Sequence, residues 1–272
     1  MKDHMHITTK DFDLNKAGSY NLLIEINATY YRYAIVDVEN TELLVLGSAV
    51  GSIAEAQSNW MFITEFAQVK ISTITKSYTF IPEEYYQEDT EQTISKFISF
   101  DENLDTLNSN FLHKQSIRNI YALKSDLIHQ ITEKFPTAVI YPQMNSFYCG
   151  ATVLQEKSRK PQVFINIRNN HLELLILIHG ELTFYNIYEY KNDDELLYYL
   201  LITLQQKSLK AEELILNISG EIQEYDLVYQ KIKNTFFRIF LNEPDAFLTI
   251  NEEFDKINLH EYFSLLALNL CE

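Results

Sequence analysis

Two strings of nine residues in this chain alternate apolar residues with residues that can do chemistry. The first, Leu22-Leu23-Ile24-Glu25-Ile26-Asn27-Ala28-Thr29-Tyr30, carries Glu25, Asn27 and Thr29 at alternate positions. The second, Val163-Phe164-Ile165-Asn166-Ile167-Arg168-Asn169-Asn170-His171, carries Asn166, Arg168 and Asn170 there, and Ile24 meets Ile165 at an offset of 141 (165 − 24). A carboxylate such as Glu25 can hold a divalent cation. The Asn166 amide is neutral, so it can neither balance such a cation nor act as a base. Arg168 can bind an anion with its guanidinium alone. A third string, Ile218-Ser219-Gly220-Glu221, sets a hydroxyl beside a glycine. Neither copy of the repeat contains the glycine that lets a backbone close on a phosphate.

The elements that carry these residues follow from hydropathy patterning. Residues 21–50 alternate as three antiparallel strands, near 21–27, 30–38 and 42–49, and the pattern restarts near 162–168, 171–179 and 182–190. Between them, 69–80 reads as one or two strands, 81–86 as a short helix with proline in its first turn, and 90–98 as helix. A strand at 119–123 leads to a helix capped by Ser125, with Leu127, Ile128, Ile131 and Phe135 on one face. A strand at 137–141 stops at Pro142. In the second half, Asn192 and Glu195 form a capping box for a helix over 193–207. A strand at 214–218, a helix over 223–234, a strand at 237–241 and a closing helix over 260–270 complete the chain. The polar segment 155–161 marks a boundary, giving domains 1–155, with an insertion near 52–115, and 156–272. The class is α/β with mixed sheets.

Composition limits the function. A chain of 272 residues buries a sizeable core in one or two domains. The net charge of −16 comes without a Lys/Arg stripe, which excludes a duplex-binding surface and disfavours anionic membranes. The densest basic run, Lys157-Ser158-Arg159-Lys160, reads as a solvated linker. No stretch reaches the ~18 apolar residues of a membrane span, and the start lacks a signal-peptide core. Cys149 and Cys271 are lone thiols, which fits a reducing cytoplasm. The chain has only 6 glycines, so tight turns fall to Asn and Asp.

Three segments carry a resemblance. They are Tyr78-Thr79-Phe80-Ile81-Pro82; Leu182 to Tyr190 followed by Glu195-Leu196-Leu197-Tyr198-Tyr199-Leu200; and Leu214-Ile215-Leu216-Asn217-Ile218-Ser219-Gly220. In their wording the chain resembles a bacterial family, mainly of Bacteroidetes, with an actin-like ATPase fold and no assigned function. In architecture it is similar to the actin-like ATPases, most nearly the pilus-assembly branch. The resemblance implies two actin-like (ribonuclease H-like) domains facing a cleft. In that superfamily an Asp in the first strand of each domain coordinates Mg²⁺, and glycine-bearing hairpin turns donate N–H groups to phosphates. On this resemblance Glu25 and Asn166 take the Asp positions, Asn27 and Arg168 the glycine positions, and Thr29 the hydroxyl position. The extra methylene of Glu25 displaces its carboxylate by about 1 Å, a shift that already costs catalysis heavily. The adenosine motif, a strand ending in Gly-Gly, keeps only Gly220, with Ser219 before it and Glu221 after it.

Other constellations are weaker. His4 and His6 lack further ligands for a metal, Cys149 lacks an identifiable base, and Asp193-Asp194-Glu195 suits a helix start. Tyr188, Tyr190, Tyr198 and Tyr199 cluster where strand meets helix, as core bulk or as a protein interface. The helix around Leu196–Ile202 is apolar on nearly all sides, so it is either sandwiched within the fold or covered by a partner. The expectation is a non-catalytic binding or scaffold protein without cofactor, whose cleft residues are Glu25, Asn27, Thr29, Asn166, Arg168, Asn170, Ser219 and Gly220. The alternative is an ATP-binding or weakly hydrolysing ATPase using Mg²⁺. A third reading is a small-molecule sensor. The expected partner is a protein, with neither nucleic acid nor membrane insertion.

Overall fold

The computed structural model describes residues 4–27, 29–53, 60–87, 89–155, 160–168 and 170–272. Most of the basic run at 157–160, and the Ala28 and Asn169 positions of the repeat, lie outside them. The strands are β1 His4–Thr8, β2 Tyr20–Ile26, β3 Tyr30–Asp37, β4 Glu42–Val50, β5 Gln68–Thr73, β6 Tyr78–Pro82, β7 Asp105–Leu112, β8 Ile117–Lys124, β9 Val139–Pro142, β10 Gln162–Arg168, β11 His171–Ile178, β12 Glu181–Glu189, β13 Ile215–Gly220 and β14 Ile239–Leu241. The helices are α1 Thr90–Ile94, α2 Ser125–Lys134, α3 Gln143–Leu154, α4 Asp193–Gln206, α5 Leu227–Thr235 and α6 Phe263–Ala267.

Both halves of the repeat build the same sheet. One sheet has the order β1-β4-β3-β2-β5-β9, the other β12-β11-β10-β13-β14. In each, three consecutive strands pair antiparallel, and the first of them pairs parallel with a later strand: β2 with β5, β10 with β13. β1 adds a paired edge inside the N-terminal dozen residues, where the sequence pattern gave no element.

Contacts divide the chain into two compact units. One comprises Met1–Ser146, Leu248–Phe254 and Leu268–Glu272; the other comprises Phe147–Phe247 and Asp255–Ala267. The division therefore falls inside α3, ahead of the polar segment at 155–161. Asn145 accepts a hydrogen bond from Asn119 of the first unit. Phe147 meets Phe263 edge-on at 6.5 Å, and Gly150 lies so close to Phe263 and Ala267 that no Cβ would fit. Helix α3 was absent from the sequence pattern because its apolar residues do not follow a clean 3.6-residue stripe.

The first unit packs Leu22, Ile24 and Ile26 of β2 with Val69 and Ile71 of β5 against Ile131 and Phe135, at the end of α2 and just beyond it. The segment expected as an insertion near 52–115 contains β5, a strand of this main sheet. The separate feature is a three-stranded sheet, β6-β8-β7, spanning 78–124. There Arg118 forms a forked ion pair with Glu83 at 2.7 and 3.0 Å and lies 4.0 Å from the Tyr86 ring. Lys70 of β5, buried, donates to the carbonyls of Asn269 and Cys271, and Asn21 donates to the Asn269 side chain at 2.9 Å.

The second unit packs Val163, Ile165 and Ile167 of β10 with Leu172, Leu174 and Ile176 of β11 against α4 and α5. Leu196, Leu200 and Leu204 form the buried stripe of α4. Each contributes about 1.5–3 kcal/mol by leaving water. Asn192 accepts from the Glu195 N–H at 3.0 Å, and Glu195 reaches back to the Lys191 N–H at 2.8 Å, one residue beyond the N-cap N–H that a standard capping box satisfies.

Several local expectations are corrected. Ser125 does not cap α2; its hydroxyl lies 2.9 Å from that of Thr106 on β7. The helices expected at 81–86 and 90–98 shrink to a 3-10 turn at Glu83–Tyr85 and the five-residue α1. Pro142 ends β9 from within, which the edge position allows because no ladder N–H is needed there. α5 starts at Leu227, because Asp226 folds back to accept from the Gln223 N–H at 2.7 Å. The closing helix breaks into two 3-10 turns flanking α6.

Candidate functional site

In the second unit the repeat residues converge on a buried network. Asn166 on β10 is opposed by Glu173 on β11 and by Ser219 on β13. Its Nδ2 donates to Glu173 Oε2 at 2.6 Å and to Ser264 Oγ at 3.1 Å. Tyr185 donates to the other Glu173 oxygen at 2.7 Å. The Ser219 hydroxyl donates to the Ile165 carbonyl at 3.1 Å and lies 3.4 Å from Asn166 Oδ1. Asn166, Glu173, Ser219 and Ser264 are fully buried. A buried carboxylate is tolerated because each oxygen receives a donor, one of them a neutral amide that adds no second charge.

The first unit uses a different solution at the equivalent position. Glu25 on β2 faces Arg32 on β3, with Oε1 and Nη1 4.0 Å apart and both side chains buried. The Arg32 guanidinium lies 5.3 Å from the Tyr30 ring centroid. Sequence reasoning missed Arg32, Glu173, Tyr185 and Ser264. The 141-residue offset carries Arg32 onto Glu173, so the repeat already held the signal for two of them.

The hairpin positions are occupied by backbone pairing. The Asn27 N–H donates to the Tyr30 carbonyl at 2.9 Å, Gly51 N–H to the Thr29 carbonyl at 2.8 Å, and Tyr190 N–H to the Asn170 carbonyl at 2.9 Å. Thr29 and Asn170 are exposed, Asn27 is half-buried, and Arg168 is buried at the end of β10. Gly220 has φ +92, and a Cβ there would lie 2.0 Å from the Ile167 carbonyl oxygen. The tight approach of β13 to β10 therefore requires this glycine by itself. These residues do not fit a magnesium nucleotide. The position opposite Glu173 is a neutral amide bound into the interior, and Glu25, the one carboxylate among the expected cleft residues, already faces the buried Arg32.

The four tyrosines separate. Tyr188 stacks on Tyr199 with centroids 4.8 Å apart and planes at 11°, and its hydroxyl lies 2.9 Å from that of Thr203. Tyr190 also packs on the core, and burial, reinforced by Glu221 and Asp193, pushes its phenol up to about 12. Tyr198 meets Tyr199 edge-on at 5.6 Å but is 59% exposed, next to exposed Leu201. Helix α4 is thus covered along its leucine stripe and bare along Tyr198 and Leu201. His6, considered for metal, has its two ring nitrogens 2.8 Å from the Tyr33 hydroxyl and 2.9 Å from that of Thr8.

His260 gives this unit a pH response. Its ring is buried, with Nε2 2.8 Å from the Ile222 carbonyl and Nδ1 3.6 Å from Glu243. Burial opposes the charged ring and is the largest influence. The Glu243 carboxylate, the Ile222 carbonyl and Glu261 together outweigh it, so the pKa is raised. A raised folded pKa contributes stability in full below the unfolded value of ~6.5, and that stability is lost as pH climbs through the folded value. Urea midpoints should fall as pH rises above ~6.5, and Glu243→Gln should flatten that fall. Parallel curves for the two proteins would disprove the coupling.

Comparisons agree with this geometry. A Bacteroides thetaiotaomicron VPI-5482 protein, described as having an actin-like ATPase fold and unknown function, superposes with TM-score 0.79 at 18% identity, covering 96% of this chain and 99% of that one. A structure of the PilM–PilN type IV pilus biogenesis complex matches at TM-score 0.61 and 11% identity, over 92% of this chain and 97% of that one. The ethanolamine utilization protein EutJ from Carboxydothermus hydrogenoformans matches at 0.50 and 8%, over 98% and 93%. No curated protein matches this chain. At these identities the likeness shows the fold, which is the two-domain actin-like ATPase fold with mixed sheets. Among the described residues no helix is long and apolar enough to cross a membrane. The family described as protein of unknown function (DUF3822) matches residues 9–239, and the chain belongs to that family.

Proposed function

We propose that this protein is a non-catalytic binding or scaffold protein that keeps the actin-like fold without nucleotide turnover. The observation that carries this reading is the Asn166–Glu173–Tyr185–Ser264 network. Phosphoryl transfer rests on positioning and charge neutralisation. Here the position that would supply an acid holds an amide used for internal packing. The working surface in this reading is for a protein partner, and Tyr198 with Leu201 on α4 is the aromatic–aliphatic pair offered to it. The fold's occurrence in a PilM–PilN complex supports protein association as a use for this scaffold. Cys149 and Cys271 are not joined in a disulfide, which supports a reducing, cytoplasmic setting.

The deciding experiment is thermal melting with Mg·ATP and Mg·ADP. A ligand present at 100 times its Kd stabilises the folded state by about 2.7 kcal/mol. The expected result is an unchanged melting temperature at millimolar nucleotide. A dose-dependent rise would overturn the reading in favour of a nucleotide-binding protein.

A further inference from the structure

Between the start of β10, the strands β13 and β14, and the turn after β14 lies a cavity of about 180 Å³ within the second unit. One water requires only ~10–15 Å³ by this kind of measure. The cavity is lined by the amides Gln162, Asn217 and Asn242, the carboxylates Glu243 and Asp245, and apolar side chains including Phe240. Asn242 is 1% exposed, yet neither its Oδ1 nor its Nδ2 has a hydrogen-bond partner among the described residues. Its backbone N–H is held by the Ile218 carbonyl at 2.8 Å, so the residue is anchored while its side-chain amide remains unsatisfied. A buried amide in that state is costly unless a bound group satisfies it. The neighbouring Asn217 does pair, donating to Gln162 at 3.4 Å. The unmet polarity is thus confined to the end of the cavity next to the two acids.

We propose that this cavity is a binding site for a small aliphatic organic cation, a protonated amine or guanidine. The charge of the lining selects the class. Among the described residues the lining contains two carboxylates, one of which, Glu243, also faces His260 at 3.6 Å, and no Lys, Arg or His, so an anion such as phosphate or a carboxylate meets negative charge with only amide N–H groups as donors. An ammonium group supplies donors alone, which suits carboxylates and amide oxygens. Apolar wall residues such as Phe240 and Leu241 suit a methylene body. The site lies within one unit and involves none of the expected cleft residues or of the α4 tyrosines, so it stands independently of the partner reading above.

The test uses the full chain and 1,4-diaminobutane as probe, with 1,4-butanediol and succinate as the uncharged and anionic controls. Calorimetry should show saturable binding of the diamine and none of either control. Asn242→Leu, which matches the side chain in shape, should abolish binding while leaving the unliganded melting temperature equal or higher, since it removes a polar group that has no partner. Asp245→Asn, at an exposed rim position, should fold as the parent does and weaken diamine binding by about 3- to 10-fold, as expected for one partly screened charge. The idea is overturned if the diamine does not bind, if butanediol binds as well as the diamine, or if Asn242→Leu binds undiminished. A markedly lower melting temperature for Asn242→Leu would also overturn it, by showing the amide to be structurally engaged.

Discussion

Changing Asn166 to aspartate will destabilise the protein by about 3–5 kcal/mol at neutral pH, the range for an uncompensated buried charge. The substitution introduces an acid at the position where the resemblance to actin-like ATPases implies one, so a site lacking only that group would gain function. In this interior it removes the amide that donates to Glu173 at 2.6 Å and to Ser264 at 3.1 Å. Two buried carboxylates would then meet across β10 and β11, and like charges at that distance cannot both ionise. One must take a proton, so the penalty should shrink as pH is lowered towards the carboxylate range. Urea midpoints at pH 5 and pH 8 measure both effects. Equal stability of variant and parent at pH 8 would show that Glu173 is not held as an anion by Asn166.

Gly220→Ala is the second large effect, with an expected loss of about 3–5 kcal/mol, as for combined backbone strain and overpacking. Two causes act together. The backbone at φ +92 lies where a Cβ is strained, and that Cβ would meet the Ile167 carbonyl oxygen at 2.0 Å and its nitrogen at 2.6 Å. Neither atom can retreat, because both belong to the central strand, and the same carbonyl accepts the Glu221 N–H at 2.6 Å. Chemical denaturation reads this directly. A loss below about 1 kcal/mol would mean that β13 can slide, and that the glycine is kept for a ligand and not for packing.

The three consecutive antiparallel strands of each sheet were legible because hairpin strands are local, whereas the edge strand β1 was not. Alternation and turn residues suffice to find 20–26 or 171–178 without knowing what packs on them. The doubled register was legible for the same reason. Helix α3 was not, because its residues answer to partners distant in sequence, such as Phe263. The site was legible in position but not in partnership. Asn166 and Glu25 stood out as odd polar residues in apolar strings, yet the groups that explain them sit on other strands or, for Ser264, 98 residues away. The tyrosines taught a similar lesson. Composition found the cluster, but only packing separates Tyr188, Tyr190 and Tyr199 from exposed Tyr198.

The two units are interleaved along the chain, and this sets an order of events during synthesis. Asn21 and Lys70 are made early, but their acceptors at Asn269 and Cys271 follow only after the second unit has been made. At ~5–20 residues per second, Asn21 waits about 10–50 s on the ribosome for its partner. The second unit waits in turn for 255–267, which supplies Ser264 to Asn166. The first unit cannot close until the second has been made, so the newborn chain completes both within the same few seconds. A gene cut at the boundary between them would yield one fragment, 1–146, that lacks the residues that seal it, and another, 147–272, that holds all of its own unit together with the seal of the first.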